Sequence, residues 1–130
     1  MRHTVKLRGV IIGHSDLEQA DVTTRRAWGR FRPGFGYELV QPIFRLFSEA
    51  VPTPGGEPRD REKLDRYHSA RDRLGLVLVD ASGRELATAA IHIADYSDER
   101  GADALELDVL ISDDAFWGCL LYTSPSPRDS

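Results

Sequence analysis

Apolar and polar residues alternate along several segments of the chain, as they do in β-strands with one solvent-exposed face. Residues 4–12 alternate and then become wholly apolar, which predicts one strand that begins half exposed and ends buried. Residues 27–31 predict a short strand that Pro33 and Gly34 stop. Residues 76–79, 85–96 and 104–112 predict a meander of three antiparallel strands, because turn residues separate them without helical crossovers.

Two other segments carry apolar residues at the three- and four-residue spacing of an amphipathic helix. Residues 37–50 have a wide apolar stripe. Pro42 is compatible with a helix only in its first turn, so we expect this helix to begin at 39–41. Residues 60–74 are charged almost all round with a narrow apolar seam, and Gly75 stands where a C-terminal cap is expected.

Ser15 and Asp113 each mark the predicted start of a further, shorter helical segment. Ser15 and Glu18 have the spacing of a capping box, which predicts a short helical turn up to about Asp21. Asp113 is a candidate N-cap for a further helix near the end of the chain.

The order of these elements predicts an α+β fold. We expect two helices packed on a largely antiparallel sheet of about five strands that ends in the three-strand meander. The loop 52–58 is too short to separate domains, and each side alone is too small to form a stable core. Residues 1–118 are therefore expected to form a single domain.

The last twelve residues have no periodicity and contain two Ser-Pro pairs. Residues 119–129, Cys-Leu-Leu-Tyr-Thr-Ser-Pro-Ser-Pro-Arg-Asp, resemble without a gap the translation of a transposon-end sequencing adaptor. The resemblance implies that 119–130 are a non-native disordered tail, and that the natural reading frame is cut near Trp117 and Gly118. The single domain would then be truncated at its C-terminus. Codons for this tail at the source locus would contradict the interpretation.

Composition narrows the class of protein. The chain has 130 residues, a formal net charge of −4 and one cysteine, Cys119, which excludes an internal disulfide framework and a cysteine-rich zinc site. No stretch approaches the ~20 apolar residues of a membrane span. The charged N-terminus lacks the apolar region of a signal peptide, so we expect a soluble cytoplasmic domain with no membrane partner.

One basic and aromatic stretch offers a candidate ligand- or partner-binding face. On a strand, alternate residues share a face, and such a face is formed by Arg26, Trp28, Arg30 and Arg32. An aromatic surface among guanidinium groups suits stacking on bases or holding a phosphorylated ligand. The acidic net charge disfavours nucleic acid. The alternative is a solvated edge strand on which arginine stems cover Trp28.

The final hairpin carries the acidic candidates. A hairpin that pivots at Arg100 would place His92 opposite Asp108, and Ala94 opposite Glu106. If Ile91 and Ile93 face the core, the side chains of His92, Glu106 and Asp108 point outward. A histidine with two carboxylates can form half of a divalent metal site, so His92, Glu106 and Asp108 are candidate metal ligands. The alternative is an outer sheet face whose acids pair with arginines of the second helix.

Charge is distributed unevenly along the chain. Residues 1–45 carry eight basic and four acidic residues, whereas 95–114 carry one basic and eight acidic residues. This asymmetry favours head-to-tail self-association or a charged protein partner. With no self-sufficient catalytic constellation and no cofactor motif in view, the preferred hypothesis is a non-enzymatic module that binds a protein or a small ligand.

An enzymatic alternative stays open. It is a metal-assisted hydrolase or nuclease that uses His92, Glu106 and Asp108, with the face of Arg26, Trp28 and Arg30 holding the substrate.

Overall fold

The computed structural model of the chain describes residues 2–52, 56–96 and 105–123, the last five of these by their backbone alone. The described strands are β1 (His3–Leu7), β2 (Val10–Ser15), β3 (Gln19–Asp21), β4 (Arg26–Pro33), β5 (Val77–Val79), β6 (Glu85–Leu86), β7 (Thr88–Asp95) and β8 (Leu105–Ile111). The described helices are α1 (Tyr37–Ala50), α2 (Arg61–Leu74) and α3 (Asp114–Thr123).

The eight strands form one nearly closed, barrel-like sheet. Their order is β6-β5-β1-β2-β4-β8-β7, with β3 beside β4, and all neighbours are antiparallel. The predicted α+β class, two helices packed on a sheet of about five strands, is therefore wrong. Alternation along a segment indicates a strand, but it does not show that one segment changes partners and thereby curls the sheet.

Residues 85–95 are the segment that changes partners. Its first part, β6, pairs with β5, and its second part, β7, pairs with β8. The change falls at Ala87, whose carbonyl accepts hydrogen bonds from the backbone N–H groups of Ser112 and Asp113 at 3.0 and 3.1 Å. The meander predicted for this region is confirmed in its strands, but the second strand is divided at Ala87.

The single strand predicted over 4–12 is a hairpin. Arg8 and Gly9 have φ values of 50° and 84° and join β1 to β2, with Leu7 paired to Val10. Two consecutive residues with positive φ form the tight turn whose twist matches that of the flanking strands. Gly9 is the residue of the sequence from which this turn could have been predicted.

The helical turn predicted from Ser15 is also wrong. The Ser15 hydroxyl accepts a hydrogen bond from the N–H of Leu17 at 3.1 Å, two residues along, and the chain continues into β3. Because residues 16–18 are not helical, this hydrogen bond closes a local turn and does not cap a helix. Glu18 accepts a hydrogen bond from the backbone of Arg30 at 2.9 Å.

Both predicted helices are confirmed. α1 begins at Tyr37, two residues before the expected start, and therefore places Pro42 beyond the first turn. At the start of α2, Asp60 accepts a hydrogen bond from the N–H of Lys63 at 3.0 Å. At its end, Gly75 takes the left-handed conformation, φ 70°, that glycine adopts at least cost.

α3 closes one end of the core, and the predicted cap by Asp113 is confirmed. The Asp113 carboxylate accepts a hydrogen bond from the N–H of Phe116 at 3.1 Å. Trp117 is 2% exposed, and its indole N–H donates to the carbonyl of Ile111 at 2.7 Å. The loop predicted at 97–103 with its pivot at Arg100, and residues 124–130 of the predicted tail, lie outside the described residues.

The core fills the interior of the sheet. Its fully or almost fully buried side chains come from strands on opposite sides of the barrel and include Val5, Ile12, Phe31, Ile93 and Leu107. α1 packs on α2 and across β7, so the helices cover one side of the sheet. No described helix has the length and apolar character needed to cross a membrane.

Candidate functional site

The two groups of candidate residues lie on neighbouring strands of one face. In the sheet, Trp28 of β4 is opposite Asp108 of β8, which is opposite His92 of β7. In the adjacent row, Arg30 is opposite Glu106, which is opposite Ala94 of β7. The pairings predicted for the final hairpin are thus confirmed. We call this side of β4, β8 and β7 the outer face.

Arg26 and Asp108 form a bidentate pair in the middle of the outer face. Nε of Arg26 lies 2.9 Å from Oδ1, and Nη2 lies 2.6 Å from Oδ2 of Asp108. The guanidinium carbon of Arg26 is 4.2 Å from the ring centroid of Trp28. The hydrogen bond to Asp108 raises the pKa of Arg26 above its usual value. Arg26 and Trp28, two of the four predicted binding residues, therefore contact each other, and Arg26 also holds β4 to the hairpin of β7 and β8.

The other two predicted binding residues are more exposed. Nη2 of Arg32 lies 3.4 Å from Oδ2 of Asp16, in a pair that is nearly half exposed on both sides. Arg30 is exposed, and its backbone N–H is bonded to Glu18. The arginines of β4 are thus separated by their partners and do not form one uncompensated basic surface.

His92 points away from Ile91 and Ile93, as predicted, but it lies beneath the two helices. Its ring meets Phe47 edge-on with centroids 4.4 Å apart, and its Nδ1 is hydrogen-bonded to the hydroxyl of Tyr67 on α2. Burial lowers the pKa of His92 to about 4, although the charge of Asp108 opposes this shift. The imidazole is therefore neutral at pH 7.

The partner of Asp108 also differs from the expectation. The second helix was expected to supply an arginine to the acids of this face, but the arginine comes from the neighbouring strand β4. From α2 the face receives the buried ring and hydroxyl of Tyr67 instead.

The predicted metal residues do not form a ligand set. Within residues 2–52, 56–96 and 105–118, no group of three or more His, Cys, Asp or Glu side chains is placed so that it could hold a metal ion. Asp108 is bound by Arg26, and Nδ1 of His92 is bound by Tyr67. Burial, and then the charge of Asp108, raise the pKa of Glu106 above its usual value.

Part of the charge asymmetry along the sequence is compensated within the chain. Besides the pair of Arg26 and Asp108, Arg25 lies 2.6 Å from Asp114, and Arg84 lies 2.9 Å from Asp113. The basic and acidic segments meet because β4 and β8 are neighbours in the sheet. These contacts weaken the argument for head-to-tail association.

An exposed apolar surface lies at the junction of β2 and α1, and the sequence analysis did not identify it. It comprises Val10, Ile11, Phe35 and Leu39, which are 43%, 42%, 105% and 64% exposed, and we call it the apolar end. The sequence feature that could have indicated this surface is Phe35 itself, since an aromatic residue between Gly34 and Gly36 in a loop has little surface to pack against. Leu39 lies within the segment 37–50 whose apolar stripe predicted a helix, but its side chain points to solvent.

Backbone hydrogen bonds bring the parts of the apolar end together. Gly34 donates to the carbonyl of Ile12 at 2.8 Å, and Gly36 donates to that of Ile11 at 3.0 Å. The first turn of α1 then begins, with the N–H of Leu39 bonded to the carbonyl of Gly36 at 3.0 Å. The loop with Phe35 is thus fixed against β2.

A small cavity lies between the end of α2 and the start of β7. It holds about 150 Å³ and is lined by Arg71, Leu76, Thr88 and Ala90, among others. Pockets for small organic ligands are typically ~300 Å³ or larger, so this cavity suits a few water molecules.

Comparisons with protein-family models, with curated proteins and with solved structures found no match for the chain.

Proposed function

We propose that this chain is a non-enzymatic module that acts by binding another protein chain, and that the apolar end is its binding surface. The observation that carries this proposal is the complete exposure of Phe35 beside three further exposed apolar side chains. Soluble proteins expose such side chains singly, whereas a group of them on adjoining segments typically marks an interaction site.

The outer face supports the same proposal because its polar side chains are occupied by contacts within the chain. Its side chains that could bind a ligand or take part in catalysis are hydrogen-bonded to one another: Asp108 to Arg26, and His92 to Tyr67. A neutral imidazole whose Nδ1 is bound and whose ring is packed between helices is suited to holding α2 on the sheet. The contacts of these residues support a structural role.

The cavity dimensions favour a protein partner over a small ligand. The cavity between α2 and β7 is about half the size of a small-molecule pocket. A larger depression of about 400 Å³ lies along α2 alone, and its lining of Glu62, Asp65, Arg66 and Arg73 lacks the apolar walls typical of a ligand pocket. The apolar end, in contrast, is built from a strand, a loop and a helix turn, and protein interfaces commonly combine such elements around an aromatic residue.

A peptide-display selection tests this proposal. Peptides selected on the wild-type chain should bind the Phe35→Ser variant at least about tenfold more weakly, because a central aromatic side chain dominates such interfaces. Leu110→Ser is the matched control, since Leu110 is 40% exposed but lies on β8. It should retain full binding, with circular dichroism confirming that both variants fold.

Two results would contradict the proposal. One is a selection that yields no peptide whose binding depends on Phe35. The other is an equal loss of binding in the Phe35→Ser and Leu110→Ser variants, which would indicate non-specific adsorption of apolar peptides.

A further inference from the structure

We infer that the partner of the apolar end is a second copy of this chain, bound through the same surface in a two-fold symmetric dimer. This inference rests on the proposed function, in which the apolar end is a binding surface. A symmetric dimer requires a surface that complements itself, and an apolar surface with charges of both signs at its edge meets this requirement.

The edge of the apolar end carries such charges. Arg8 lies in the hairpin turn, beside Val10, and Glu38 lies in the first turn of α1, beside Leu39. Both residues are exposed, and neither side chain has a hydrogen bond or ion pair with the part of the chain that the structure describes. Arg25, Arg26 and Arg84 differ from them, because each has an acidic partner within the chain.

The positions of these two charges indicate how the copies would pair. Arg8 precedes Val10 and Ile11 in the hairpin of β1 and β2, whereas Glu38 precedes Leu39 in α1, so the two charges stand on two different segments that form the apolar end. A two-fold axis that runs between hairpin and helix places the hairpin of one copy against the helix of the other. Each Arg8 then faces the Glu38 of the other copy, and the two Phe35 side chains meet near the axis.

Mixed charge at the edge also separates this partner from a lipid surface. Segments that bind anionic membranes combine apolar side chains with a cluster of basic residues. The apolar end instead has an acidic residue, Glu38, on the helix that presents Leu39. This charge would be repelled by an anionic membrane but attracted by the arginine of a second copy.

Sedimentation velocity over a range of protein concentrations tests the inference on the full chain. The wild-type chain should show a concentration-dependent dimer. Phe35→Ser should weaken dimerisation at least about tenfold. Leu110→Ser should leave it unchanged, because this side chain is similarly apolar and 40% exposed but lies outside the apolar end.

A charge exchange tests the predicted pairing. Because the dimer would contain two such pairs, Arg8→Glu alone and Glu38→Arg alone should each weaken it by up to about 25-fold, which is about fivefold for each exposed ion pair. The variant with both changes should return to the wild-type dissociation constant, because the two charges are exchanged. Failure of the double variant to recover would overturn the pairing, and with it the two-fold arrangement.

Further outcomes separate this inference from the proposed function. A chain that stays monomeric at all concentrations, but binds selected peptides through Phe35, would overturn the dimer and leave the binding module. A monomer that co-sediments with vesicles of anionic phospholipid in a Phe35-dependent manner would overturn both, because the surface would then bind lipid.

Discussion

The outer face and the apolar end show opposite relations between residue type and availability for binding. The outer face is rich in arginine, carboxylate, histidine and tryptophan, yet Arg26 is bound to Asp108 and His92 to Tyr67. The apolar end has the composition of a protein core, yet Phe35 and Leu39 are exposed. The difference teaches that a group is available for binding when its neighbours leave it without a partner, whatever its chemistry.

This comparison has an energetic side. The side chains of the outer face and the helices above it contribute to folding, since their removal leaves buried surface or a buried polar group without contacts. Side chains of the apolar end contribute little to folding, because they are exposed in the folded chain as well. Substitutions in the two regions should therefore affect different measurements.

The largest expected effect is at Tyr67, where the helices meet the outer face. Tyr67→Ala should lower the free energy of unfolding by about 3–5 kcal/mol, because its fully buried ring packs on Phe44, Phe47 and His92. Tyr67→Phe keeps the ring and should cost only about 1 kcal/mol. Urea denaturation followed by circular dichroism measures both. Equal losses would show that the hydroxyl, and not the ring, carries the contribution.

The next effect is a pH dependence that arises from His92. Its folded pKa of about 4 lies below the usual value of 6.5, so the unfolded chain binds more protons between these values. Stability should be fully present above about pH 6.5 and fall towards pH 4, by at most about 1.4 kcal/mol per pH unit. Denaturation of wild type and His92→Gln across this range measures the difference.

A matched variant sharpens the pH experiment. His68→Gln removes an exposed histidine of α2 whose charge is one of the smaller causes that lower the pKa of His92, so it should reduce the pH dependence much less than His92→Gln does. If His92→Gln retained the full pH dependence, the stability change would have to come from other groups, and the neutral buried state assigned to His92 would be wrong.

A smaller effect is expected at the ion pair of the outer face. Asp108→Asn should cost about 1 kcal/mol, because the pair with Arg26 is bidentate but partly exposed. Asp114→Asn is the control: the Asp114 side chain is 86% exposed, so its loss should stay within about 0.5 kcal/mol. Thermal unfolding compares the melting temperatures of both variants. Equal shifts would show that the pair of Arg26 and Asp108 contributes no more to stability than an ordinary surface ion pair.

The smallest effect on stability is expected at the apolar end. Phe35→Ser should change the free energy of unfolding by less than about 0.5 kcal/mol when measured at protein concentrations below dimerisation. Binding should nevertheless be lost, as described above. A loss of stability comparable to that of Tyr67→Ala would show that Phe35 belongs to the core and would remove the contrast between the two regions.

Local features of the fold could be predicted from the sequence. The amphipathic spacing identified α1 and α2. A hairpin pivot at Arg100 was sufficient to align β8 with β7, so that His92 and Asp108 were placed opposite each other. Such features depend on the residues of one or two adjoining segments. The resemblance of residues 119–129 to adaptor sequence stays a prediction, because nothing in the fold tests it.

The features that could not be predicted depend on contacts between distant segments. Closure of the sheet requires residues 85–95 to pair with β5 and then with β8. The environment of His92 requires α2 to lie above it, and alternation within β7 indicates only that its ring points away from the isoleucines. Exposure of Leu39 likewise depends on where the stripe of α1 meets the sheet.

The fixed loop around Phe35 has a consequence for the entropy of binding. A Cβ at Gly36 would lie 2.6 Å from the carbonyl oxygen of Ile11, so the loop approaches β2 as closely as it does only because this residue has no side chain. With its backbone already held at Gly34 and Gly36, the loop has little conformational freedom left to lose when Phe35 docks. The aromatic ring is thus presented in a preorganised position, and ordering it costs little more than the freezing of its own rotamers.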